Sequence, residues 1–210
     1  MKLKNIRLLI SNPRFLSLIL LSAIPNKICL TGFLYFILPL YLKFLGNSQS
    51  GTGRILMSYG FAIVFLSPIS GSLSDRFKNR KMFVALGACV SSLGLLSAFF
   101  FHNIWVLFLA TAVLGIGHSL SLSSQLALVT EVCKREENQI GLMTVMGIFR
   151  FLERAGNISG PILAGLLVSF FSYPSAIAIM GTMTLLAGLS FSIIFRTPLP
   201  APMLEKEATV

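Results

Sequence analysis

Apolar residues dominate six stretches of this chain, and short polar or charged segments separate them. The stretches cover residues 15–42, 53–73, 82–101, 104–129, 139–171 and 175–195. A helix needs about 20 apolar residues to cross the hydrocarbon layer of a bilayer, so each stretch is long enough to span one. The pattern predicts an all-α membrane protein in three parts: a basic N-terminal segment (1–14), a six-span bundle (15–195) and a polar C-terminal tail (196–210).

Composition supports a location in the membrane. Hydrophobic residues make up 55% of the 210 residues and charged residues only 11%, whereas soluble domains contain about 25% charged residues. The three cysteines, Cys29, Cys89 and Cys133, are scattered and form neither a CxxC pair nor a disulfide framework. They are therefore predicted to be reduced and structural.

The net charge of +10 is distributed unevenly between the two ends of the predicted bundle. Of the 17 Lys and Arg residues, twelve lie in the N-terminal segment, the loops after the second and fourth spans, and the tail; only two, Lys43 and Arg54, lie at the opposite face. Basic residues accumulate in cytoplasmic loops, where they also meet anionic lipid headgroups. Both termini are therefore predicted to be cytoplasmic, in the cell (inner) membrane. The chain has no basic patch with interleaved aromatic residues, so the sequence does not indicate nucleic-acid binding.

Charged residues interrupt the fifth stretch along one side of its helix. At about 100° per residue, a side about 140° wide collects eight residues, here called the polar stripe: Gly147, Arg150, Glu153, Arg154, Asn157, Gly160, Pro161 and Ala164. The opposite side is apolar and contains Ile148, Phe151, Leu152, Ile158 and Leu166. A charge at bilayer depth requires a partner, backbone carbonyls or water. The polar stripe is therefore predicted to face protein or water, and the opposite side to face lipid.

Polar residues of two other spans are predicted to share a central path with the polar stripe. Asn26 and Lys27 follow Pro25, which is expected to break the first span near mid-depth. Broken helices near mid-depth often form solute sites in transporters. His118 and Gln125 lie within the fourth span and could line the same path.

The charges near this path are unbalanced. One acid, Glu153, is set against the bases Lys27, Arg150 and Arg154. Excess positive charge within a membrane is tolerated where an anion or water fills the space. We therefore expect an anionic or zwitterionic solute near these bases and Asn157, with Glu153 as ion-pair partner or proton carrier. The alternative is an internal gate, in which the charges bridge helices without touching solute.

Small residues at four-residue spacing mark two predicted helix contacts. They are Gly156, Gly160 and Ala164 in the fifth span, and Gly115, Ser119 and Ser123 in the fourth. Small side chains allow membrane helices to approach closely, so these positions are expected to pack against neighbouring helices.

The loop after the second span has the sequence GSLSDRFKNRK over residues 71–81. Its order of small, acidic and basic residues resembles the loop signature G-x-L-a-D-r-x-G-r-[RK] of the major facilitator superfamily. The matching residues are Gly71, Leu73, Asp75, Arg76 and Arg80. Lys78 replaces the usual Gly, and Asn79 replaces the first base of the final pair. In that family the acid and the bases form a cytoplasmic latch that stabilises one alternating state, and the resemblance implies such a latch here.

The fifth and fourth spans extend this resemblance. The family's fifth-helix pattern, g-x8-G-x3-G-P-x2-G-G, is associated with antiporters and is matched by Gly147, Gly156, Gly160, Pro161 and Gly165. Ala164 replaces one Gly of the final pair. An N-terminal half would carry R-x-x-q-G in its fourth span, where this chain has Thr111 and Leu114 ahead of Gly115. The missing signature favours the C-terminal half of such a transporter.

The resemblance covers about residues 15–195 and implies a half bundle built as a 3+3 inverted repeat. It further implies a small solute moved by alternating access, without a metal or organic cofactor. Alternating access requires two six-span halves around a shared site. The partners expected for this chain are therefore lipid, a small solute and a second half, either another copy or a separate chain.

Three other classes of function compete with a transporter. An intramembrane serine protease requires G-x-S-G, but Ser159 follows Asn157 and Ile158, and neither H-E-x-x-H nor paired intramembrane aspartates occur. A water channel would repeat the Asn12-Pro13-Arg14 sequence, which occurs once and outside the spans. The third alternative is a truncated or split-gene fragment, or an accessory membrane protein, without transport activity alone. The sequence favours a transporter and not an enzyme.

Overall fold

The computed structural model describes residues 3–77, 79–101 and 103–195. Within these ranges the chain forms no strands and eight helices: Leu3–Ile10 (α1), Pro13–Phe44 (α2), Gln49–Phe77 (α3), Arg80–Phe100 (α4), Ile104–Val132 (α5), Lys134–Ile140 (α6), Leu142–Phe170 (α7) and Tyr173–Ile194 (α8). Lys78 of the loop motif and the predicted tail, residues 196–210, lie outside the described residues.

Six of these helices are long. By length and composition, five of them in the described part of the chain are long and apolar enough to cross a membrane: α2, α3, α4, α5 and α8. The sixth, α7, has 29 residues but contains Arg150, Glu153 and Arg154. The predicted all-α half bundle is confirmed. Because α7 is the charged member, it depends on its surroundings for polar partners.

α2 continues through Pro25, where the sequence predicted an interruption. Two π-helical segments, Ile19–Ala23 and Leu30–Ile37, flank the α-helical segment Ile24–Cys29. In a regular α-helix a proline ring collides with the carbonyl four residues earlier. The wider π-helical turn before Pro25 makes room for the ring, so the helix widens locally and does not break. The predicted break was wrong.

α2 and α7 cross at close range because small residues line the contact. A Cβ atom added at Gly156 would lie 2.7 Å from the carbonyl oxygen of Ile24, and one added at Gly160 would lie 2.9 Å from that of Ile28. Ala164 is fully buried one turn further along α7. The predicted helix contact through this small-residue series is confirmed.

α5 packs against both α3 and α4, and α8 packs on α4. A Cβ atom added at Gly115 would lie 3.0 Å from the carbonyl oxygen of Tyr59 in α3, and one at Gly117 would lie 2.5 Å from that of Gly87 in α4. Ser123 of α5 donates a hydrogen bond to the carbonyl of residue 67 in α3 at 3.2 Å. Two sides of α5 are therefore occupied by close helix contacts.

A single glycine separates α6 from α7, within a stretch that the sequence predicted as one helix from about residue 139. Gly141 has a φ angle of +81°, in the left-handed region that glycine adopts without steric penalty. This turn ends α6 at Ile140 and lets α7 begin at Leu142. The predicted continuous helix was therefore wrong at its start.

Buried apolar side chains form two clusters in the bundle. One includes Phe33 of α2, Leu114 of α5 and Met180 of α8. The other joins Leu9 of α1 to side chains of α2, α5, α7 and α8. Leu9 has no exposed surface, so α1 is anchored to the bundle by this side chain.

Candidate functional site

Glu153 is the centre of an ion-pair cluster between α2 and α7. Its Oε1 atom lies 3.2 Å from Lys27 Nζ, and its Oε2 atom lies 3.1 Å from Arg150 Nη1. Only 4% of the Glu153 side chain is exposed, against 15% for Lys27 and 51% for Arg150. Two bases share one acid, so these three residues, here called the Glu153 cluster, carry one positive charge in excess.

The polar stripe lies across the boundary of the contact between α7 and α2. Its buried edge consists of Glu153, Gly160 and Ala164. Its exposed edge consists of Gly147, Arg150, Arg154 and Asn157. Among the described residues Arg154 makes no ion pair, so its charge is added to the excess of the Glu153 cluster. The structure thus gathers Lys27, Arg150 and Glu153 into contact and leaves Arg154 and Asn157 on the surface beside them.

The side of α7 opposite the stripe is partly as predicted. Phe151, Ile158 and Leu166 are 60%, 70% and 53% exposed, as expected of a lipid-facing surface. Ile148 is fully buried, so its predicted lipid exposure was wrong. The contact of α7 with α2 is centred near Gly156, away from the centre of the stripe. With the helix in this orientation, Ile148 points inward and joins the apolar cluster that contains Leu9.

Asn26 turns away from the Glu153 cluster and joins a polar seam between α2 and α5. Its Nδ2 atom donates to Ser121 Oγ at 2.8 Å, and Gln125 Nε2 donates to Ser22 Oγ at 2.6 Å and to Ser121 Oγ at 3.1 Å. All four side chains are buried. A buried polar group without a hydrogen bond is costly, so this seam fixes how α2 and α5 face each other.

His118 is buried between α3 and α5. Its Nδ1 atom lies 3.2 Å from the Tyr59 hydroxyl, and the two rings meet edge to face at 5.8 Å. His118 Nε2 is buried and has no hydrogen-bond partner among the described residues. The sequence singled out His118 but missed Tyr59, because one Tyr within an apolar span gives no sign of which helix it faces.

The loop motif joins three helix ends. Arg80, the first residue of α4, pairs through Nη2 with Asp75 Oδ1 at 2.9 Å, near the end of α3. Its Nη1 atom donates to the carbonyl of Ala127 at 3.0 Å and lies 3.8 Å from Glu131 Oε2, near the end of α5. A guanidinium among carbonyl and carboxylate groups at two helix C-termini is favourable for the helix dipoles. Arg80 is thus the hub of the motif, and Glu131 is a member that the sequence missed.

Other residues of the two motifs differ in their contacts. A Cβ atom at Gly71 would lie 3.7 Å from Ser123 Cβ, and one at Gly165 would lie 3.7 Å from the Phe36 ring, both ordinary contacts. A Cβ atom at Gly147 would meet nothing within 4 Å. Arg76 is exposed, and Pro161 is half-buried. The tight packing of the fifth-helix pattern is therefore concentrated at Gly156 and Gly160.

A second polar contact lies near the start of α2. Asn12 caps α2 through Oδ1, and its Nδ2 atom donates to Glu136 Oε1 of α6 at 3.1 Å.

Cys133, between α5 and α6, is fully buried. Burial, together with the nearby carboxylates of Glu136 and Glu137, raises the pKa of the Cys133 thiol to about 12. The thiol is therefore protonated and unreactive at neutral pH.

The described residues contain no group of three or more His, Cys, Asp or Glu that could hold a metal ion. The candidate site consists of charged and hydrogen-bonding side chains. Such a site can bind a charged solute or hold helices together through ion pairs.

The sequence model of the Major Facilitator Superfamily matches residues 7–209 of the chain. Similar curated proteins include the MFS-type transporter SLC18B1 of Rattus norvegicus, which is 27% identical over 175 residues, 78% of this chain and 38% of that protein. The quinolone resistance protein NorA of Staphylococcus aureus (strain MRSA252) is 24% identical over 170 residues, 80% of this chain and 42% of that protein.

A third relative is the uncharacterized MFS-type transporter YfiS of Bacillus subtilis (strain 168). It is 26% identical over 121 residues, 58% of this chain and 28% of that protein. The chain therefore spans less than half the length of each of these three curated relatives.

Proposed function

Because this chain belongs to the major facilitator superfamily, we propose that it is one six-helix half of a secondary transporter that moves a small anionic or zwitterionic solute by alternating access. The second half is another six-span bundle, which encloses the solute path together with this one. The absent R-x-x-q-G signature around Thr111 and Leu114 supports a role as the C-terminal half. The basic loops support an orientation with both termini in the cytoplasm.

The observation that carries the choice of solute is the excess positive charge beside Glu153. Glu153 is shared by Lys27 and Arg150, and Arg154 adds a further base on the same exposed edge. At bilayer depth this excess requires a compensating anion or water. A solute with a carboxylate or phosphate group supplies that charge and can bind an arginine through two parallel hydrogen bonds.

Substitution of Arg154 by Gln tests this solute site. We expect uptake of anionic solutes into membrane vesicles to fall about tenfold or more, because a hydrogen bond to a charged group contributes about 1.5–3 kcal/mol. Arg150→Gln should lower uptake as well, by less, since Glu153 then pairs with Lys27 alone. The matched control is Arg54→Gln, which removes an exposed arginine from α3, outside the stripe. Unchanged uptake in both stripe variants would contradict the assignment.

The loop motif is proposed to act as a latch between conformations. The side chain of Asp75 is 63% exposed, so its pair with Arg80 contributes at most about 1 kcal/mol to stability. Asp75→Asn is therefore expected to leave solute affinity unchanged and to shift the balance between inward-open and outward-open states. The reporter is a cysteine at Gly147, an exposed position with open space around it, labelled by a membrane-impermeant thiol reagent.

The labelling rate should change in Asp75→Asn and return to the original value in Asp75→Glu, which restores the charge. A change in solute affinity with an unchanged labelling rate would argue against a latch.

An alternative function is that of a fragment or accessory membrane protein without transport activity alone. The chain covers only 38% and 42% of the length of two of the curated relatives, and this partial coverage is the observation that favours the alternative. The mass of the purified protein, with bound detergent subtracted, separates the two cases. A dimer, or a complex with a second six-span chain, supports a transporter, whereas a lone monomer supports the alternative.

A further inference from the structure

Two short helices, α1 and α6, lie together at the end of the bundle where the basic loops are. Leu9 of α1 has no exposed surface and packs in the apolar cluster formed with α2, α5, α7 and α8. α1 also contacts α6, which ends just before the Gly141 turn into α7. The two helices therefore form one surface that is anchored to the bundle.

The charged side chains of α6 point to opposite sides. Its two acids, Glu136 and Glu137, are half-buried. Glu136 Oε1 accepts a hydrogen bond from the side chain that caps α2, at 3.1 Å, and Glu136 Oε2 is buried. The bases of α1 and α6 whose side chains the structure describes are all exposed, and they are here called the α1–α6 basic surface: Arg7, Lys134 and Arg135. The acids thus face the bundle while the bases face outward.

Exposed apolar side chains, here called the apolar border, lie next to this basic surface. Ile10, the last residue of α1, is 42% exposed, and Leu142 and Met143, at the start of α7, are 40% and 85% exposed. Exposed apolar side chains beside bases are typical of helices that lie in the interface of an anionic membrane. Bases next to the ends of membrane spans attract anionic lipid headgroups. The combination fits an amphiphile with a negatively charged headgroup.

We propose that the α1–α6 basic surface binds an anionic phospholipid, whose phosphate group contacts the bases and whose acyl chains cover the apolar border. A free phosphate ion or an acidic protein would satisfy the bases, but only a lipid also covers the apolar border with acyl chains. Because the lipid binds α1 and α6 in their folded arrangement, it stabilises the bundle. The inference goes beyond the proposed function, since it concerns a lipid at the edge of the bundle and not the solute.

The test is native mass spectrometry of the purified protein in detergent, titrated with phosphatidylglycerol or with phosphatidylcholine. We expect phosphatidylglycerol to bind at least about tenfold more tightly, because each base near an anionic surface contributes about fivefold in affinity. Lys134→Gln together with Arg135→Gln should weaken phosphatidylglycerol binding by about 25-fold and leave phosphatidylcholine unchanged. The matched control is Lys43→Gln together with Arg54→Gln, which removes the same two kinds of exposed base from the opposite end of the bundle and should change neither lipid.

A second pair of substitutions separates charge from folding. Lys134→Arg together with Arg135→Lys keeps both charges and should keep the binding of phosphatidylglycerol. The temperature at which half of the protein aggregates should rise when phosphatidylglycerol is added to the unaltered chain, to this pair and to the control pair. It should not rise in the pair that lacks both charges.

Several results would overturn the inference. Equal affinity for the two lipids, or an equal loss in the neutralised and control pairs, would show that no anionic lipid site lies on this surface. Loss of binding in the charge-conserving pair would show that these bases are needed for the structure of α6 and not for the lipid. Displacement of phosphatidylglycerol by glycerol phosphate at a similar concentration would show a site for soluble anions. Each of these results would leave the proposed transport function intact, because none of the substitutions touches the solute site.

Discussion

Replacement of Glu153 by glutamine is expected to destabilise the bundle by about 3 kcal/mol or more, because it leaves Lys27 and Arg150 without their acid. Glutamine has nearly the same shape, so the change removes charge and keeps packing. Lys27, of which 15% of the side chain is exposed, is the residue most affected. Arg150 is 51% exposed and can turn toward water or headgroups, so it contributes less to the loss.

The unfolding of Glu153→Gln can be followed with a thiol-reactive fluorophore, because Cys29 and Cys133 are buried in the folded protein. The dye reacts as heating exposes these thiols, and the midpoint should fall by several degrees. Glu137→Gln is the matched control: it removes a carboxylate of α6 that makes no ion pair among the described residues, and it should leave the midpoint nearly unchanged.

A double variant separates charge from packing. Lys27→Met together with Glu153→Gln removes both members of the pair between α2 and α7, and an apolar side chain in place of a buried ion pair is often neutral or stabilising. We expect the double variant to regain most of the lost stability. If it melts no higher than Glu153→Gln alone, the destabilisation does not arise from an unpaired Lys27.

The helical class of the fold could be predicted from the sequence because apolar length determines where a chain can cross a bilayer. The small-residue series at Gly156 and Gly160 was also visible, since four-residue spacing places both on one side of a helix. Periodicity does not show whether the polar stripe or the surface next to this small-residue series meets the neighbouring helix. The structure shows contact on the Gly156 side, and therefore Ile148 is buried while Arg154 is exposed.

The candidate site was predicted in part for the same reason. Lys27 and Glu153 are 126 positions apart, and their pairing depends on how α2 and α7 cross, which composition alone does not determine. Asn26 is adjacent to Lys27 in sequence, yet the 100° turn between them points it toward Ser121 of α5. Pro25 was expected to break α2, but the wider π-helical turns accommodate its ring. This local adjustment cannot be predicted from the residue types alone.

Replacement of Gly160 by alanine is expected to force α2 and α7 apart. The new Cβ atom would overlap Thr31 Oγ1 and lie 2.9 Å and 3.0 Å from the backbone atoms Ile28 O and Gly32 N. Backbone atoms cannot rotate away as a flexible side chain does, so the helices must shift. Overpacking of this kind destabilises by about 1–3 kcal/mol. In a membrane the loss is direct, because van der Waals contact is a main attraction between helices.

The matched control, Gly147→Ala, lies on the same helix and makes the same chemical change at a position with nothing within 4 Å. Alanine favours a helix over glycine by about 1 kcal/mol, so this variant should be unchanged or slightly more stable. Measured by the same thiol-reactive dye, Gly160→Ala is thus expected to lower the melting midpoint, and Gly147→Ala to leave it unchanged or raise it slightly. Equal midpoints would mean that α2 and α7 do not approach closely at Gly160. The Lys27–Glu153 pair depends on the same crossing, so Gly160→Ala should also lower solute uptake, whereas Gly147→Ala should not.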